Sequence, residues 1–126
     1  MSTTELDPTI LEELVELGPA EGIELVRDLV RIFFAEAPDR TGRMLSGLSE
    51  NDCQKVIHAA HAMRGAAAGL GAVDMAASCA RIERQARTGD LTGLRSEVAD
   101  ILEELPRLEE RLGSLIHRFE AAHAGA

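Results

Sequence analysis

The segment HAAHAMRGAAAGLG, residues 58–71, decides the fold of this chain. An α-helix turns about 100° per residue, so residues three and four apart share one face. One apolar stripe with this spacing consists of Val56, Ala60, Met63, Ala67 and Leu70. His61 points almost the opposite way. The segment therefore predicts a helix that buries one side and presents a histidine on the other.

The side chains around this histidine are unusually small for an exposed helix face. Such a face normally carries Glu, Lys, Gln and Arg, which favour the helix and solvate it. Here Gly65 lies beside Arg64, although glycine costs a helix interior about 1 kcal/mol relative to alanine. Small residues let another surface approach the histidine, so we expect a docking surface. Its predicted contact residues are Ile57, His58, Ala62, Gly65 and Ala68.

Composition predicts a single domain over residues 1–126, with the helical core at about 20–122. Aromatic residues make up only 2% of the chain, so the core is expected to be aliphatic, which favours helices over strands. The net charge of −9 disfavours nucleic acid and anionic membrane as partners. The sequence has neither a long apolar run nor a signal-peptide pattern. Cys53 and Cys79 are expected to be free thiols of a cytoplasmic protein.

The first two helices are indicated by start and stop signals. Asp7-Pro8 reads as an N-cap followed by proline at the first helical position, and Gly18-Pro19 ends that short helix. A second helix is expected to begin near Ala20. Pro38 interrupts its pattern, and the sequence leaves open whether the helix kinks or stops there. The predicted stripes are Ile10, Leu14 and Leu17 in the first helix, and Val26, Leu29 and Phe33 in the second.

The remaining helices have similar signals. Asn51 with Gln54 suggests a capping box before the histidine helix, and Gly71 suits the left-handed turn that ends it. Residues 88–90 suggest a stop and a new cap, and Pro106 is expected to bend the last helix without changing its phase. The stripes are Met75, Cys79, Ile82 and Ala86, then Leu94, Val98, Ile101, Leu105, Leu108, Leu112, Leu115 and Phe119. Short connections predict an all-α, up-down antiparallel four-helix bundle with an additional short N-terminal helix.

Four interpretations of His61 compete: a solvated polar residue, a metal ligand, an acid–base catalyst and a nucleophile. The small neighbours disfavour the first. A metal shared with His58 is disfavoured because di-metal sites in bundles use inward Glu-x-x-His pairs. Acid–base catalysis lacks a neighbouring nucleophile and a water-excluding pocket. A nucleophilic imidazole that accepts a phosphoryl group fits best, since Arg64 can offset phosphoryl charge and Glu83 can reach back to the ring.

These residues resemble a known family. Residues 61–72, HAMRGAAAGLGA, are similar to the motif of histidine-containing phosphotransfer (HPt) domains, roughly Ala-His-x-Leu-Lys-Gly followed by small residues and Leu-Gly. The similarity continues through residues 79–83 and 87–90, and backward to Phe33-Phe34. It covers about residues 26–105. In two positions the chain departs from the motif, with Met63 in place of leucine and Arg64 in place of lysine.

The resemblance implies a helical bundle that relays a phosphoryl group between His61 and receiver-domain aspartates in two-component signalling. Arg64 would stabilise phosphoryl charge, Gly65 would admit the receiver and Glu83 would orient the imidazole. The expected partners are response-regulator receiver domains or a hybrid histidine kinase. The chain would be a monomeric phosphocarrier with no nucleotide site and no cofactor, and Mg²⁺ would be held by the receiver. The alternative is an interaction module that docks a partner through the same face without phosphate.

Overall fold

The computed structural model of this chain describes residues 4–124, and their only regular secondary structure is helical. The five helices are α1 (Thr9–Leu17), α2 (Pro19–Ser49), α3 (Cys53–Gly69), α4 (Val73–Arg87) and α5 (Leu94–Ala122). This confirms the predicted all-α fold of four long helices and one short N-terminal helix.

Helices α2 to α5 form an antiparallel bundle in which each helix packs on the next and α5 returns to α2. Ion pairing shows the antiparallel direction of α2 and α5, because Arg27 near the start of α2 meets Glu120 near the end of α5. Helix α1 packs on the start of α2. A Cβ atom at Gly22 would lie 2.4 Å from the Leu14 carbonyl oxygen, so the absence of a side chain permits this approach.

The core is aliphatic, as the composition predicts. In α3 the buried stripe is the predicted one, and Met63 is among the largest fully buried side chains of the protein. In α4 all four predicted stripe residues are buried, and in α5 only Leu105 of the eight is partly exposed. The most extensive helix contact joins α3 and α4. That contact fixes the position of the histidine face relative to α4.

Pro38 and Pro106 both lie inside continuous helices, so α2 does not stop at Pro38. Each proline is on the exposed side of its helix, where water can bond the carbonyl that loses its helical partner. The buried stripe of α5 continues from Ile101 to Leu108 across Pro106. The predicted phase of the last helix is therefore confirmed.

The predicted stripe of α1 is wrong. Leu11 and Val15 are buried, whereas Leu17 is 86% exposed. The apolar residues of α1 form one broad side of the helix, and the predicted stripe follows only the edge of that side that carries Ile10 and Leu17. The contact with α2 selects the rotation that buries Leu11 and Val15.

Three predicted caps are displaced by one or more residues, the first of them at α1, whose N-cap is Pro8 and not Asp7. Asn51 has a φ of 54° and lies in the turn, and Asp52 caps α3 by accepting a hydrogen bond from the Lys55 amide at 3.1 Å. Asp90 accepts a hydrogen bond from the Thr92 amide within the loop, and α5 begins only at Leu94. The left-handed conformation predicted at Gly71 is confirmed by its φ of 75°.

Between residues 4 and 124, no helix is long and apolar enough to cross a membrane. Cys53 and Cys79 are free thiols, the first partly exposed and the second buried.

Candidate functional site

His61 lies on the exposed side of α3, at the edge that faces α4. Because the turn at residues 70–72 reverses the chain, the middle of α4 runs beside the middle of α3. Glu83 of α4 thus meets the histidine, with its Oε2 atom 3.0 Å from His61 Nδ1. The structure brings together the three residues that the sequence predicts as the chemical site: His61, Arg64 and Glu83.

Glu83 is the buried centre of this site, since its side chain is only 6% exposed. Its carboxylate contacts two arginines as well as the histidine. Arg64 Nε lies 3.1 Å from Oε1, and Arg87 Nη2 donates a hydrogen bond of 2.6 Å to Oε2. Burial raises the pKa of Glu83, but the hydrogen bonds from Arg87 and His61 and the charge of Arg64 outweigh it, so the pKa lies below its usual value. The group is therefore a carboxylate at neutral pH.

Arg87 is a site residue that the sequence analysis did not assign. It lies one turn after Glu83 in the last turn of α4, and the two form an i, i+4 ion pair. Glu followed by Arg at this spacing is a known helix-surface pair. The i, i+4 spacing alone indicates only an ordinary surface ion pair. The burial of Glu83 makes Arg87 a partner that this carboxylate needs.

Arg64 lies near the inner nitrogen of the histidine ring. Its Nη2 atom is 3.0 Å from His61 Nδ1, while its Nε faces Glu83. The side chain is 42% exposed, so it has space to rotate about α3. The guanidinium thus contacts the ring and the carboxylate at the same time.

The exposed small residues around His61 are Ala62, Gly65 and Ala68, here called the small-residue patch, and His58 is exposed beside them. A Cβ atom at Gly65 would meet nothing within 4 Å. The prediction that Ile57 belongs to this surface is wrong, because Ile57 is only 5% exposed. Its direction on α3 lies close to the buried stripe, and the packing of the bundle covers that edge of the helix.

Two further observations concern the other ligating and nucleophilic side chains of residues 4–124. No group of three His, Cys, Asp or Glu side chains there is arranged to hold a metal ion. Cys79 lies fully buried on α4, and burial raises the pKa of its thiol to about 12. A thiol with this pKa stays protonated at neutral pH and is a poor nucleophile. Of the Cys79 and His61 side chains, only that of His61 is accessible to a partner.

An exposed histidine 3.0 Å from a buried carboxylate, on the face of a helical bundle, is the arrangement that the resemblance to phosphotransfer domains predicts. The Hpt domain family matches residues 28–122 of this chain. Since the match spans most of the sequence, the chain belongs to the Hpt domain family.

Two relatives agree with this family. The phosphorelay protein LuxU of Vibrio cholerae serotype O1 is 27% identical over 96 residues, which are 76% of this chain and 85% of LuxU. The crystal structure of histidine-containing phosphotransfer protein B (HptB) from Pseudomonas aeruginosa PAO1 matches with a TM-score of 0.78 and 25% identity. That match covers 93% of this chain and 98% of HptB. The chain therefore functions in histidine phosphotransfer in two-component signalling.

Proposed function

We propose that His61 is the phosphoacceptor and exchanges a phosphoryl group with an aspartate of a receiver domain. The observation that carries this proposal is the 3.0 Å contact between His61 Nδ1 and Glu83 Oε2. A carboxylate can only accept a hydrogen bond, so in the tautomer in which this hydrogen bond forms the proton lies on Nδ1. The lone pair is then on Nε2, the ring nitrogen available to a partner.

The transfer is a displacement at phosphorus. The Nε2 lone pair forms the N–P bond while the bond from phosphorus to the aspartate oxygen breaks, and that electron pair leaves with the aspartate carboxylate. The Nδ1 proton remains in place, so the phosphorylated ring is cationic, and the charge of Glu83 stabilises it. In the reverse direction the leaving group is the neutral imidazole.

The other residues support the approach of the partner. The small-residue patch leaves room for a receiver domain, and the exposed side chain of Arg64 can turn towards the phosphoryl oxygens and offset their charge. The chain acts as a monomeric phosphocarrier rather than a self-sufficient enzyme, and the receiver supplies the aspartate and its Mg²⁺. A cytoplasmic location is supported by the free thiols of Cys53 and Cys79, which suit a reducing compartment.

The test is phosphoryl transfer from a receiver domain labelled on its aspartate. We expect acid-labile label to appear on the wild-type chain and to be lost in His61→Gln. His117→Gln is the matched control, because His117 is an exposed histidine on α5, outside the docking surface. This variant is expected to accept label.

Two results would contradict the proposal. Label that persists in His61→Gln would assign the phosphoacceptor to another residue. Wild-type chain that binds the receiver and takes no label would favour the interaction module without phosphate.

A further inference from the structure

The Nδ1 atom of His61 has two neighbours that require opposite protonation states of this nitrogen. Glu83 Oε2 and Arg64 Nη2 each lie 3.0 Å from it. The carboxylate accepts hydrogen bonds and needs a proton on Nδ1, whereas the guanidinium donates and needs a lone pair there. In the neutral ring only one of the two hydrogen bonds can form at a time.

The choice between them decides whether the ring can react. When Nδ1–H donates to Glu83, the lone pair lies on Nε2, which can attack phosphorus. When Arg64 donates to Nδ1, the proton of the neutral ring lies on Nε2, and that nitrogen has no lone pair for the attack. Arg64 in the observed position therefore favours the unreactive tautomer.

Arg64 can leave this position only if the charge of Glu83 remains compensated. The carboxylate is buried, and a buried charge without a partner is strongly destabilising. Arg87 satisfies this need because its 2.6 Å hydrogen bond goes to Oε2, the same oxygen that faces His61. It holds that oxygen in place whether or not Arg64 is present.

We propose that Arg64 gates His61 by selecting its tautomer, and that Arg87 is a positioning residue that keeps Glu83 on Nδ1 when Arg64 moves away. The 42% exposure of Arg64 allows its guanidinium to move from Nδ1 to the oxygens of an arriving phosphoryl group. Arg87 then remains the counter-ion of Glu83. The consequence for transfer rests on His61 being the phosphoacceptor, whereas the tautomer assignment does not.

The test is the tautomer of His61 in the unphosphorylated protein, read from the ¹⁵N chemical shifts of the two ring nitrogens. The protein is labelled at histidine, and the spectrum is recorded at about pH 9, above the ordinary pKa of histidine. The His61 signals are those that disappear in His61→Gln. Circular dichroism checks that each variant is folded.

Substitutions of the two arginines should change the tautomer ratio of His61 in opposite directions. Arg64→Ala should raise the ratio of the Nδ1–H to the Nε2–H tautomer, and Arg87→Ala should lower it, each by roughly threefold or more, as for coupled groups in one network. Arg87→Lys should give a ratio between those of Arg87→Ala and the wild type, because lysine keeps a positive charge near Glu83. Arg84→Ala, an exposed arginine on the same helix, is the control and should leave the ratio unchanged.

Either of two results would overturn the inference: an unchanged ratio in Arg87→Ala, or a ratio that fails to rise in Arg64→Ala. If either result is found while wild-type His61 still accepts label from a receiver, the arginines do not select the tautomer, and the phosphoacceptor assignment stands. If the ratios shift as expected and no label reaches His61, the gate stands and the phosphoacceptor assignment is wrong.

Discussion

At the scale of single residues, the site depends on how one buried carboxylate is shared. Glu83 contacts His61, Arg64 and Arg87, and its lowered pKa keeps it charged. The arginine at position 64, where the family motif has lysine, makes use of its fork-shaped group. One nitrogen faces Glu83 and another faces the histidine ring, which the single ammonium of a lysine cannot do in the same geometry.

Gly65 provides the prediction at this scale. Gly65→Gln should slow phosphoryl transfer from a receiver by at least about tenfold, because a long side chain would stand where the partner approaches, and each 1.4 kcal/mol of barrier is tenfold in rate. The fold should be kept, and helix propensity should even favour it by about 0.5–1 kcal/mol. Transfer rates and urea unfolding measure the two effects.

The matched control is Gly113→Gln. Gly113 is also an exposed helical glycine whose Cβ would meet nothing within 4 Å, but it lies on α5, away from the small-residue patch. It should gain similar stability and keep the wild-type transfer rate. Equal transfer rates in both variants would contradict a docking role for Gly65.

At the scale of the elements, the turn after α3 joins the site helices to the N-terminal segment. The Asp7 amide donates to the Gly71 carbonyl at 2.7 Å, and the Glu5 amide donates to Asp74 Oδ2 at 3.0 Å. Gly71 therefore has two constraints, a left-handed backbone and a close neighbour. This turn sets the relative position of α3 and α4, on which the contact between His61 and Glu83 depends.

We expect Gly71→Ala to destabilise the protein by about 3 kcal/mol or more, since the backbone strain of about 1–2 kcal/mol is joined by a steric clash. The new Cβ atom would lie 2.1 Å from the Asp7 carbonyl oxygen. Gly89→Ala is the control, because Gly89 has a similar φ of 83° and open space around it. It should lose only about 1–2 kcal/mol. Urea unfolding that gives the same loss for both variants would show that the contact with Asp7 is unimportant.

At the scale of the whole molecule, the aliphatic core supports the site without taking part in the chemistry. The buried stripes of all five helices form one cluster, and the reactive residues lie on its outer side. Stability and phosphotransfer should therefore be separable by mutation. Core substitutions should lower the free energy of unfolding and leave the phosphotransfer rate of the folded protein unchanged.

Leu112→Ala should lower the free energy of unfolding by about 3 kcal/mol, as expected when a fully buried leucine is truncated. Leu112 has no exposed surface and lies on α5, which carries none of the site residues. Leu102→Ala, on the exposed side of the same helix, should cost only about 0.5 kcal/mol. Urea unfolding and transfer rates measured under folding conditions check both expectations. A slowed transfer step in folded Leu112→Ala would show that core and site are coupled.

The sequence by itself determined the helices, the stripes of α3, α4 and α5, and the residue types of the site. Long periodic patterns fix the phase of a helix, because each additional apolar residue repeats the same direction. The family motif in turn pointed to His61, Arg64, Gly65 and Glu83.

Only the tertiary structure decided the rotation of α1, the burial of Ile57 and the role of Arg87. The apolar side of α1 is broad, and the packing on α2 determines which edge of that side is buried. Ile57 lies at the edge of a stripe, where the neighbouring helix determines exposure. Arg87 gains its importance from the burial of Glu83, which depends on how α3 covers α4. Each of these features depends on contacts between helices, which the pattern within one helix does not contain.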